Sequence, residues 1–221
     1  MPVHVMGLDL GQKRDHSALV IVEQLVRSVV PAPTVDELYH VVHVQRWSLG
    51  TPYESVVDEV CELAQRPELS NGRPLLLFDR TGLGGVVAED LWNRYTRGDL
   101  PLGYPAIGIT LTAGFSNRGA WRGTADSTAH KGDVIARMAS LLNTGRLVLP
   151  PGLPAGDLLE KELRTFQIKQ RASGYIYTEA AHEKDHDDLV IALALAVWCP
   201  HWIGTPRYLD PNTGQPKEQS S

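Results

Sequence analysis

Apolar residues run almost unbroken from Val3 to Leu10 (VHVMGLDL), give way to a polar turn, GQKRDH, and resume from Ser17 to Glu23 (SALVIVE). Two β-branched runs around a short polar break predict a hairpin. Pro31 and Pro33 punctuate the next stretch, and Leu38 to Leu49 (LYHVVHVQRWSL) has the composition of a third strand. Three strands in succession imply an antiparallel unit at the start of the chain.

The pattern then changes period. Thr51 is placed to cap a helix with Pro52 at its first position, and Val56, Val57, Val60, Cys61 and Ala64 recur at helical spacing. Gly72 and Pro74 close that region. Leu75 to Asp79 (LLLFD) is short and wholly apolar before its acid, which predicts a strand covered on both faces. A glycine-rich turn, TGLGG, leads into a helix over Leu83–Arg97, and Ala106–Leu111 reads as a further strand. Thr112–His130 reads as a long polar loop. A helix over Lys131–Asn143 ends at Gly145. Arg146–Pro150 reads as a short edge piece and Ala155–Phe166 as a helix. Phe166–Lys169 and Tyr175–Thr178 bracket a Ser173-Gly174 turn, and an amphipathic helix over His186–Trp198 comes last. Beyond Gly204 the chain is rich in Pro, Gly, Asn, Gln and Ser, a composition that predicts disorder. The expected organisation is one α/β domain over 1–203 and a disordered tail over 204–221. Its fold class is the ribonuclease-H-like three-layer arrangement, a central mixed sheet with helices on both sides.

Composition narrows the options. No apolar stretch reaches the roughly 18–20 residues of a membrane helix, and the N-terminus lacks the pattern of a secretory signal, so a cytoplasmic location is expected. Cys61 and Cys199 are far apart and have no CxxC companion; they read as ordinary thiols in a reducing compartment. The formal charge of −5 speaks against a uniformly basic nucleic-acid binder. It is unevenly spread: residues 1–111 carry −5, 112–171 carry +4 and 172–221 carry −4.

The candidate chemistry lies in the acids. Asp9 and Asp79 each end an apolar strand, where Asp commonly does no more than start a turn. If the first and fourth strands are neighbours, both carboxylates emerge at one sheet edge, beyond the carboxyl ends of the strands, where open α/β sheets place their sites. Asp185, Asp187 and Asp188 cluster before LVIALALAVW. One acid suffices to cap that helix. Carboxylates brought together repel unless a cation lies among them, and hard oxygen donors select Mg²⁺ or Mn²⁺ over zinc.

At these residues the sequence resembles the nuclease domain of the large terminase subunits of tailed phages. The similar segments are GLDLGQKRDHSALVIVE, LLLFDRTGLGGVVAEDLW, HKGDVIARMASLLNTGRLVLP and ELRTFQ with HDDLVIALALAVW. The resemblance implies a ribonuclease-H-like fold and two Mg²⁺ or Mn²⁺ ions. It makes Asp9, Asp79 and Asp188 the metal-binding and catalytic acids, with Asp187 an adjacent fourth. It also implies cleavage of concatemeric viral DNA during genome packaging, and as partners double-stranded DNA, an ATPase motor, a portal and a small terminase subunit. No GxxxxGK[ST] phosphate loop occurs in the sequence, so the motor is expected elsewhere. A Holliday-junction resolvase of the RuvC type, a catalytically silent DNA-binding or scaffolding domain, and an actin-like ATPase remain alternative readings. Lys13, Arg14, Arg118, Arg122 and Lys131 are candidate contacts to DNA phosphates; each is equally readable as solvated surface. Arg80 reads as a phosphate contact or a sheet-edge ion pair. His186 is a candidate proton-transfer group or helix cap, and Trp92, Tyr95 and Trp198 are expected in the core.

Overall fold

A computed structural model describes residues 3–11, 15–29, 34–81, 84–112, 126–170, 176–180 and 187–198. The order is β1 (Val3–Asp9), β2 (Ala18–Val29), β3 (Thr34–Arg46), α1 (Tyr53–Ala64), α2 (Pro67–Ser70), β4 (Leu75–Asp79), α3 (Gly84–Arg97), β5 (Ile107–Thr112), β6 (Asp126–His130), α4 (Lys131–Asn143), β7 (Leu147–Val148), α5 (Gly156–Thr165), β8 (Phe166–Gln170), β9 (Ile176–Ala180) and α6 (Asp188–Val197). Seven strands form one sheet in the order β6-β5-β4-β1-β2-β3-β7, and β8 and β9 form a separate hairpin.

The sheet is mixed. β1–β2–β3 is antiparallel, as the successive β-branched runs predict. On the other side of β1, strands β4, β5 and β6 all run parallel to it. Their carboxyl ends therefore lie at one edge. Strand side chains alternate between faces, and the two faces have different covers. Val5, Val20, Val22, Leu75, Leu77, Ile107 and Ile109 pack with α4, α5 and α6. Met6, Leu8, Leu19, Ile21, Leu76 and Phe78 pack with α1 and α3. This is the three-layer arrangement expected for a ribonuclease-H-like fold.

Helix α6 differs from its expected character. Every residue from Asp188 to Val197 is buried, so it is a central helix with no solvent face. LVIALALAV contains no polar residue, and a helix that is apolar all round is buried. It lies against β1, where Gly7 leaves no room: a Cβ there would overlap the Ala192 carbonyl oxygen and stand 2.5 Å from the Ala196 nitrogen. Those two atoms are partners in the i→i+4 ladder of the helix, so Gly7 is where sheet and helix backbones touch.

Other expectations are corrected. The Thr112–His130 stretch contains β6, paired with β5 from Gly108↔Asp126 to Thr112↔His130. DSTAH lacks the apolar run that marks a strand, and as an edge strand β6 needs only one partner. Thr51 does not cap α1: its hydroxyl donates to the Ser48 carbonyl at 2.8 Å, and Pro52 occupies the N-cap. Trp92 is 50% exposed and so is not a core residue, whereas Tyr95 and Trp198 pack against the two cores. Gly145 ends α4 with φ +66°, the left-handed conformation expected of such a stop. The Ser173-Gly174 turn and the 204–221 tail lie outside the described residues. Among the described residues, no helix is long and apolar enough to cross a membrane.

Candidate metal centre

Alternation delivers the first two acids. Val5, Leu75 and Leu77 face the α6 layer, and Asp9 and Asp79 continue those same rows. β1 and β4 pair in parallel with Leu8 beside Phe78, so both carboxylates leave the sheet at the same edge and on the same face. Helix α6 supplies the rest. From Asp9 back to Gly7 is two strand residues, about 6.6 Å, and from Ala192 back to Asp188 is four helical residues, about 6 Å. The Gly7–Ala192 contact therefore brings the start of α6 level with the end of β1, and Asp187 and Asp188 arrive at the same edge.

Electrostatics records the convergence. The Asp9 carboxyl is held well above the ordinary range, by burial first and then by the charges of Asp79, Asp188 and Asp187. Lys131 opposes that shift. The Asp79 carboxyl is also raised, by burial, against the Thr81 hydrogen bonds and Lys131; the Thr81 N–H donates to its Oδ1 at 2.7 Å. Asp188 is buried, with 4% of its surface exposed. Among the described residues, no three His, Cys, Asp or Glu side chains close around a point tightly enough to enclose an ion. The acids share a field without forming a finished cage. As a donor set, four hard carboxylates suit a divalent ion such as Mg²⁺ or Mn²⁺.

Simple capping does not account for the acids at α6. Asp187 is the N-cap residue, yet its side chain makes no capping hydrogen bond. The cap comes from elsewhere. Glu162 of α5 accepts the Leu189 N–H at 3.0 Å through Oε2 and the Arg46 guanidinium at 2.9 Å through Oε1. This tie between β3, α5 and the start of α6 was not read from the sequence, because Glu162 is 27 residues from Leu189. Within ELRTFQ, nothing local distinguishes Glu162 from a solvated helix residue.

Burial pushes the Glu162 carboxyl up to about 7 from an ordinary 4.5, against the Leu189 N–H and Arg46, with Asp188 adding to the rise. A carboxyl raised on folding contributes stability that is fully present below its unfolded value and is lost as pH rises through its folded value. In EDTA, Glu162→Gln should therefore gain on the parent protein in melting temperature as pH is raised from about 5 to about 8. Glu162→Ala strands Arg46 and the Leu189 N–H, at a cost of about 3 kcal/mol or roughly 8 °C. Parallel pH curves for parent and Gln variant would refute the assignment.

Lys131 is the first residue of α4, directly after β6. Because β6 is parallel to β5, β4 and β1, its end lies on the same edge. The Lys131 ammonium is 3.5 Å from Asp187 Oδ2 and acts on Asp9 and Asp79 as well. Of the expected metal acids, Asp9, Asp79, Asp187 and Asp188 are thus brought together. Lys13, Arg14, Arg118, Arg122, Asp185 and His186 lie outside the described residues. Arg80 is partly exposed beside the site.

No family model matches the chain, and no curated protein matches it by sequence. Solved structures do. The large terminase nuclease of thermophilic phage G20c with bound magnesium is 19% identical, with 89% of this chain and 81% of that one covered at a TM-score of 0.57. The nuclease domain of the bacteriophage SPP1 large terminase, g2p, with bound Mn is 11% identical over 88% of this chain and 84% of that one, TM-score 0.51. The human cytomegalovirus terminase nuclease domain, Mn soaked, is 9% identical over 91% and 86%, TM-score 0.53. At this level of identity the likeness shows the fold, and the fold is that of terminase nuclease domains.

Proposed function

We propose that the chain is a metal-dependent endonuclease that hydrolyses double-stranded DNA, acting on concatemeric viral DNA during genome packaging. The observation that carries this reading is the convergence of Asp9, Asp79, Asp187 and Asp188 at the carboxyl edge of the parallel strands. These four would hold two Mg²⁺ or Mn²⁺ ions. Such a pair supplies activation of the attacking water and stabilisation of the leaving oxygen in an in-line displacement at phosphorus.

The chain's own groups do the rest. Strand ends and a buried helix start hold the acids on rigid elements, so little reorganisation is needed when substrate arrives. Glu162 and Arg46 fix the start of α6. The residues of the basic 112–171 segment, Arg118 and Arg122 among them, would grip phosphates, as would Lys13 and Arg14. The domain would occupy 1–203, followed by a disordered tail. Its partners would be an ATPase motor, a portal and a small terminase subunit in the cytoplasm of an infected cell.

The test is supercoiled plasmid incubated with purified protein. Relaxation and linearisation in millimolar Mn²⁺, suppressed by EDTA, are expected. Intact plasmid across pH 7–9 in Mn²⁺ would sink the proposal.

A further inference from the structure

Lys131 sits where a helix least favours a cation. It is the first residue of a thirteen-residue helix, and the N-terminal end of a helix carries partial positive charge. Acids elsewhere offset this. The Lys131 ammonium lies 3.5 Å from Asp187 Oδ2, with about a third of each side chain exposed. It also draws on Asp9 and Asp79, one from β1 and one from β4. A single ammonium thus pairs with the acid that precedes α6 and acts on those that end β1 and β4. Those same acids do not close around a point by themselves.

We infer that Lys131 is a built-in counter-ion of the acid cluster, holding the place of a divalent cation until one enters. The inference rests on the metal reading above and adds a threshold to it. Without metal, the ammonium offsets part of the repulsion among Asp9, Asp79, Asp187 and Asp188. A divalent ion seated among the same carboxylates repels it. Metal entry and withdrawal of the ammonium are therefore linked: whatever Lys131 gains from the acids is subtracted from the metal's affinity. The flexible four-carbon stem lets the ammonium move aside without moving α4.

Two neutral-charge consequences have opposite signs, and a plain surface lysine would produce neither. Lys131→Met keeps the stem and removes the charge; Lys131→Arg keeps the charge. The full chain is measured in each form. Calorimetric titration with Mn²⁺ alone should show Lys131→Met binding about tenfold tighter than the parent protein, an estimate for a partly exposed charge facing several acids. Melting in EDTA should show the same variant less stable than the parent. Lys131→Arg should stay near the parent in both. Equal or weaker Mn²⁺ binding by Lys131→Met overturns the inference, and so does an unchanged or higher EDTA melting temperature. Failure of the underlying metal reading has a separate signature: neither the parent nor Lys131→Met gives Mn²⁺ binding heat, which overturns both.

Discussion

Replacing Asp79 or Asp188 by Asn is expected to slow plasmid cutting in millimolar Mn²⁺ by at least about a thousandfold. Loss of a ligand from a two-ion site removes several kcal/mol of transition-state stabilisation, and each 1.36 kcal/mol is a factor of ten in rate. The same substitutions should raise the melting temperature in EDTA. Asp9 is pushed up by burial and then by its acidic neighbours, so each neutralised neighbour relieves it. The sign with pH follows. A raised carboxyl contributes stability that is lost as pH rises through its folded value, so the metal-free parent should weaken from acid toward neutral pH. The two Asn variants should weaken less, and the gap should be widest at the alkaline end. Rate assays and EDTA melts at several pH values decide it. Lower melting of both variants at every pH would mean that the acids hold the structure together and do not exist to hold metal.

Gly7→Ala is expected to be among the most damaging single changes in the chain. The added methyl would overlap the Ala192 carbonyl oxygen and the Ala196 nitrogen, both backbone atoms of a buried helix. Neither can swing away as a side-chain tip would. Either α6 lifts from β1 or β1 buckles, at about 3 kcal/mol or more and roughly 6–12 °C of melting temperature. Because α6 carries Asp188 and β1 carries Asp9, the displacement separates the acids, and Mn²⁺ binding should weaken even where the protein stays folded. Gly50→Ala serves as the control. Gly50 has φ +80° with nothing within 4 Å of an added Cβ, so it should cost about 1 kcal/mol through backbone strain alone. Parent-like melting and Mn²⁺ affinity in Gly7→Ala would show that sheet and helix are not in the contact described.

The acids at the strand ends were legible because β1 and β4 are apolar runs that stop at an Asp, and because Asp187-Asp188 precede nine apolar residues. What was not legible depends on contacts distant in sequence. β6 has no apolar run of its own and exists because β5 offers an open parallel edge. Its arrival turns Lys131 from a loop-side cation into a neighbour of Asp187. Glu162 looks like any polar residue of an amphipathic helix; only the placement of α5 against the start of α6 makes it a cap. In α6 the signal was present and misread: LVIALALAV has no polar side, so amphipathic packing was never available to it. Trp92 shows the converse, a large aromatic at a helical position that the fold leaves half in solvent.

The position of α6 bears on synthesis as well as on the finished molecule. A ribosome releases this chain from its N-terminus, and domains fold as units once their parts are out. The layer that covers Val5, Val20, Val22 and Leu77 is completed by a helix that begins only at Asp188. A nascent chain halted before that point carries a partly uncovered apolar sheet face and lacks Asp188. Such a chain is a target for chaperones and proteases. Closure of that sheet face and completion of the acid cluster are thereby one event, the docking of α6.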